Sequence, residues 1–220
     1  MNWLADRRTT VVLFGLVILM FAIMQVVFPK TLATPLPEAR VQSPVLVFEF
    51  ARTPAHLDHL FGVPTDPARI AAMDRGNRLD FLFMPIYGLF VFSVFAGIAQ
   101  DRKRSIWLVF GAFGLVAAAS DAVENLLLLH ITANLSAPGN ALALLAWPVW
   151  IKFGLLALAS GGGAIALFRS GRQVLGALCL PAPFMILPAL LQPLQFGGLV
   201  AGAIGLGWLA MGLHVITRSR

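Results

Sequence analysis

Six stretches of this chain are apolar for long enough to cross a membrane as helices, and no other feature restricts its fold so strongly. They cover residues 10–28, 79–99, 106–131, 142–168, 174–191 and 194–216. A helix rises about 1.5 Å per residue, so each can cross most or all of a hydrocarbon layer about 30 Å thick. Composition agrees: 12% of the 220 residues are charged and mean hydropathy is +0.84, against about 25% charged in ordinary soluble domains. A soluble globular enzyme and a disordered chain are excluded. The expected fold is an all-α polytopic membrane bundle of about six transmembrane helices with a small periplasmic helical cap between the first two. Within this single membrane domain, 30–78 form the cap, 79–168 carry spans two to four, and 174–216 carry spans five and six. The fifth span is the least regular, because Pro181, Pro183 and Pro188 each remove a backbone donor.

The flanking charges give an independent test of the count. Arg7 and Arg8 precede the first span; Arg102, Lys103 and Arg104 follow the second; Arg169 and Arg172 follow the fourth; Arg218 and Arg220 follow the sixth. With six spans all four clusters share one side, which the positive-inside rule makes cytoplasmic. A bacterial inner-membrane protein with both termini inside is expected. The loop after the first span carries Lys30, Arg40, Arg52, Arg69, Arg75 and Arg78 against Glu38, Glu49, Asp58, Asp66 and Asp74, so it is nearly neutral. The net charge of +6 and pI near 10.7 therefore reflect topology, and membrane lipids rather than nucleic acid are the expected surroundings. The first span has a basic start like a signal peptide, but its apolar run is long and no A-x-A site follows, so a retained anchor is expected.

Cys179 is the single cysteine, which excludes an intramolecular disulfide and a multi-cysteine metal site. No cofactor motif is present. The last span contains Gly198 and Gly202 in a G-x-x-x-G spacing with Gly205 beyond, expected to allow close packing within the bundle rather than a dimer interface. No internal repeat stands out.

The loop holds three helix starts, Ser43-Pro44, Thr53-Pro54 and Asp66-Pro67, each a capping residue followed by proline at the first helical position. The first, from Val45 to Ala51, is apolar apart from Glu49 and should lie against the bilayer or the tops of the spans. The second contains His56 and His59 three residues apart. Without further ligands of fixed position these read as solvated interfacial histidines, not a metal site. The third should run into the second span, with Gly76 as a possible break.

Ionisable groups at membrane depth cost several kcal/mol and face the bundle interior. Asp80 and Tyr87 lie seven residues apart, on nearly one face of the second span. Asp121, Glu124 and Asn125 form an i, i+3, i+4 stripe on the third, and the fourth contributes Lys152, the only intramembrane cation. Counting inward, Tyr87, Asp121 and Lys152 come out at a common depth of roughly 12 to 15 Å, with Glu124 and Asn125 nearer 10 Å and Asp80 close to the interface. Lys152 should pair with Asp121 or Glu124, leaving one acid over. Either the cluster fixes helix register as a buried ion pair, or it is a site open to the outer face. His130 and His214 read as boundary residues, Trp147 and Trp150 as interfacial anchors.

The segments FEFART (Phe48 to Thr53), RLDFLFMPIYGLF (Arg78 to Phe90), SDAVENLLLL (Ser120 to Leu129) and WIKFGLLAL (Trp150 to Leu158) resemble a group of small uncharacterised bacterial multi-pass membrane proteins. The resemblance covers roughly residues 45 to 160. It implies a shared polar site of Glu49, Asp80, Tyr87, Asp121, Glu124 and Asn125, and no particular reaction.

The sequence has no nucleophile elbow, phosphate loop, H-E-x-x-H or aspartate-rich metal motif, so any catalysis would be of the acid/base kind. The expected site has Asp121, Glu124 and Lys152 as its charged centre. Glu49 and Asp80 would line its mouth, and Tyr87 and Asn125 would orient hydrogen bonds to a lipophilic or headgroup-bearing small molecule. A proton-coupled carrier or channel, and an accessory subunit with a structural ion pair, are the alternatives.

Overall fold

A computed structural model describes residues 3–217; Arg218 and Arg220 of the last basic cluster lie outside the described residues. The described residues form nine helices and no strand. They are α1 (Arg7–Val27), α2 (Pro44–Glu49), α3 (Pro54–Phe61), α4 (Pro67–Arg102), α5 (Trp107–Ala133), α6 (Ala141–Phe168), α7 (Gln173–Cys179), α8 (Pro181–Leu191) and α9 (Pro193–Thr217). With α7 and α8 counted as one broken span, six helices are long and apolar enough to cross a membrane. This is a multi-pass membrane protein.

All three Ser/Thr/Asp-Pro pairs start helices at their proline, although only Asp66 caps with its side chain, accepting from the Ala68 N–H at 2.8 Å. The third of these helices is α4, which continues for 36 residues. At 1.5 Å per residue that is about 54 Å, well beyond the hydrocarbon thickness, so α4 belongs to both loop and membrane and crosses residue 78 without interruption. Gly76 is no break: it lets Phe28, just past α1, lie flat on α4, where an added Cβ would come within 2.3 Å of the ring. The fifth span breaks at Leu180, between α7 and α8, while Pro188 is accommodated inside α8.

Spans two and three cross antiparallel on small residues. A Cβ at Gly114 would sit 2.6 Å from Val91, and one at Gly88 would sit 3.0 Å from Ala118. This close approach sets the register that carries Tyr87 toward Asp121 and Asp80 toward Asn125. At the end where α1 begins and α9 finishes, Arg7 donates to the carbonyls of Val215 and Ile216, and Arg102 to the Ala166 carbonyl and to Ser170 Oγ. Arg7, Arg102 and the Arg169–Arg172 turn therefore sit at one end of the bundle, the basic end, with the loop of α2 and α3 at the other.

That loop is tied down by its own polar groups. Gln42 exchanges hydrogen bonds with the Leu36 backbone, the Ala33 and Thr34 N–H groups donate to the His59 carbonyl, and Arg69 donates to the Thr31 carbonyl. Its apolar side chains turn inward onto the tops of the spans rather than outward: Val47, Phe48 and Phe50 are buried. Phe50 stacks on Phe153 of α6 with centroids 5.4 Å apart and packs against Gly197 of α9.

The glycines of α9 do not make the helix crossing expected from their spacing. Gly198 packs against Val41 of the loop, and added Cβ atoms at Gly202 and Gly205 would meet nothing within 4 Å. Toward the basic end α9 closes on α1, with Phe14 filling the space over Gly212. The two helices thus touch at one end and diverge toward the other.

Candidate functional site

Glu49 sits at the last turn of α2. Arg52 wraps back so that its Nη1 donates to the carbonyls of Glu49 and Ala51, at 3.0 and 2.6 Å, satisfying acceptors that the helix end leaves free. With Phe50 anchored on α6, this turn points the Glu49 carboxylate down into the bundle. It becomes the third partner of Lys152, at 3.4 Å, beside Asp121 at 3.0 Å and Glu124 at 2.8 Å. Lys152, Asp121 and Glu124 are 6%, 5% and 0% exposed, so water contributes little to balancing their charges. The expectation of one partner and one leftover acid is corrected here: Lys152 engages both acids of α5 at once, and Glu49 belongs to the centre as well as to the mouth.

The remaining residues add hydrogen bonds beside the Lys152 cluster. Tyr87 donates to the second oxygen of Asp121 at 2.8 Å. Asn125 Nδ2 donates to Asp80 at 3.0 Å and to the Asn77 carbonyl at 2.8 Å. The seven expected site residues fall into two bonded groups, Lys152 with Glu49, Asp121, Glu124 and Tyr87, and Asp80 with Asn125. Among the described residues no cation comes within ion-pair distance of Asp80, whereas Glu49 Oε2 has the Lys152 ammonium at 3.4 Å. Burial pushes the Glu49 carboxyl above its ordinary value, with the Lys152 charge opposing.

The cluster is not sealed. Glu49, Asp80, Tyr87, Asp121 and Lys152 form the polar wall of a cavity of about 370 Å³. Its opposite wall is apolar, built from Phe21, Met24 and Phe28 of the α1 end and from Ile204, Gly205 and Trp208 of α9. This is the wedge left where α1 and α9 diverge. Glu124 is absent from the wall and acts only through Lys152. A larger hollow of about 680 Å³, bounded by Arg40, Arg52, His56 and Gln192, lies on the loop surface and reaches none of the buried acids. A third, of about 260 Å³, lies at the basic end beside Thr10, Ser93 and Asp101. Phe14 and Phe90, 5.5 Å apart and both buried, occupy the level between it and the cluster.

Several members of the site were not foreseen. Trp208 stacks on Tyr87 with centroids 5.1 Å apart; its mid-span position, away from the interface where tryptophan gathers, was the available signal. Arg52 and Asn77 act through backbone carbonyls, which sequence does not announce. Trp150 packs on Phe50 instead of standing free, whereas Trp147 is exposed. His56 Nδ1 accepts from the Arg52 N–H and His59 Nδ1 meets Thr34 Oγ1, so each ring has a local task in the loop.

Comparison with family models, curated proteins and solved structures gives no match to this chain.

Proposed function

We propose that the protein resides in a bacterial inner membrane, with both termini cytoplasmic and the α2–α3 loop periplasmic, and that its cluster receives a lipophilic or headgroup-bearing small molecule from the outer leaflet. The observation that carries this reading is the cavity wall: four ionisable side chains and a tyrosine face open space instead of apolar packing. A cluster serving only as a structural ion pair gains by being dry, because each buried charge needs complete pairing. Glu49 and Asp80, the incompletely paired acids, contact the ligand. Tyr87 and Asn125 orient hydrogen bonds. Asp121 and Lys152 form the charged centre that Glu124 holds in place. Glu49, with its raised affinity for a proton and the longest of the three contacts to Lys152, is the group suited to general acid or base work. The same constellation is the one that the resemblance to small bacterial multi-pass proteins implies is shared.

A carrier or channel would need a polar route onward to the basic end, where Phe14 and Phe90 pack together. The accessory-subunit alternative draws support from the engagement of Lys152 by three carboxylates. Native mass spectrometry of the protein drawn directly from membranes into nanodiscs separates these readings. The expected result is a small lipophilic molecule retained by the wild type and depleted by Tyr87→Phe and Asp121→Asn. Identical bound lipid in all three would leave the structural ion pair as the function of the cluster.

A further inference from the structure

The balance of charge on the cavity wall and the position of its opening together specify what kind of molecule fits, given the binding reading above. Lys152 is consumed by three carboxylates, and its ammonium lies over the Phe153 ring as well, 4.8 Å from the centroid. Among the described residues no cation pairs with Asp80, which accepts from the amide of Asn125. Glu49, 9% exposed, lines the same cavity, with Lys152 3.4 Å from its Oε2 as ion-pair partner. The four carboxylates of Glu49, Asp80, Asp121 and Glu124 thus have one ammonium among them, and the layer is short of positive charge. The stacked rings of Tyr87 and Trp208, both lining this cavity, present π-systems that favour a cation. An anionic headgroup would instead add repulsion to an already acid-rich layer. Lys30, the other cation at this cavity, is exposed at its rim.

The opening gives the remainder of the molecule. Phe14 over Gly212 holds α1 and α9 together near the basic end; seven residues farther along each helix, Phe21 and Gly205 border the cavity and both are exposed on the flank of the bundle. A chain leaving the polar wall through this gap passes between apolar residues into the lipid. We infer that the site takes an amphiphile with an ammonium headgroup, which approaches sideways from the bilayer between α1 and α9 and places its cationic head against Asp80 and Glu49 with its hydrocarbon tail at Gly205.

The test uses the full chain in nanodiscs of zwitterionic lipid at neutral pH, titrated with dodecylammonium, dodecyl phosphate or dodecanol. The signal is the part of the tryptophan emission that Trp208→Phe removes, and thermal unfolding of each variant is followed in parallel. Dodecylammonium should give a saturable change at a concentration about tenfold lower than dodecyl phosphate, the scale of one charge-assisted contact. Asp80→Asn should remove that preference while leaving the protein folded. Gly205→Trp, which adds bulk only on the exposed flank, should block dodecylammonium. Equal or tighter saturable binding of dodecyl phosphate would overturn the headgroup assignment and leave the binding site standing. Unchanged binding in Gly205→Trp would overturn the lateral route. No saturable response to any of the three probes would overturn this inference and count against the binding reading itself.

Discussion

Lys152 is the residue on which the buried site turns, because one ammonium answers for three carboxylates within 3.4 Å. Removing it alone, as in Lys152→Met, leaves those acids facing one another and should lower stability by about 3 to 5 kcal/mol. Combining it with Asp121→Asn and Glu124→Gln should recover most of the loss, and thermal unfolding in detergent reads both. Glu49 carries the pH dependence. Its folded-state pKa lies above the ordinary value of 4.5, so the folded protein binds its proton more tightly than the unfolded chain does. Stability contributed this way is complete below pH 4.5 and declines as pH rises from there through the raised pKa. Glu49→Gln should flatten that decline, seen as a smaller drop in unfolding midpoint between acid and neutral pH. The common depth of Tyr87, Asp121 and Lys152 was legible in the sequence because helical rise is constant. That Glu49 reaches the same layer was not, because it depends on Phe50 and Arg52 fixing the end of a six-residue helix.

At the level of helices, glycine means different things at different places in this bundle. Gly76, Gly114 and Gly212 each admit a neighbouring side chain closer than a Cβ would permit, whereas Gly202 and Gly205 border open space. Gly212→Ala should therefore cost about 1 to 3 kcal/mol through overpacking against Phe14. Gly205→Ala should be neutral or raise stability by up to about 1 kcal/mol through helix propensity, and paired thermal unfolding curves test the contrast. Sequence spacing marked Gly198 and Gly202 as a packing motif, yet G-x-x-x-G shows only that close approach is possible and not which partner arrives. Here the partner of Gly198 is Val41, in a loop whose path no periodicity describes. The three proline-led helix starts were readable for the opposite reason: capping and fixed φ act within a few residues.

For the molecule as a whole, six spans follow from apolar length alone, and the structure gathers Arg7, Arg102 and the Arg169–Arg172 turn at one end, as an even number of crossings requires. Orientation can be tested in a Cys179→Ser background, since Cys179 is buried and unneeded for any bridge. A membrane-impermeant maleimide should label Asp58→Cys in intact cells and Ser105→Cys only after permeabilisation. The reverse pattern would invert the topology. What apolar length could not supply is the splaying of α1 from α9, which depends on where Phe14, Phe28 and Phe50 find glycine to lie against. The pairing of Phe14 with Phe90 below that gap has an energetic consequence. Two buried aromatic rings stand on the basic side of the cluster, so an ion continuing in that direction would exchange carboxylate contacts for apolar packing.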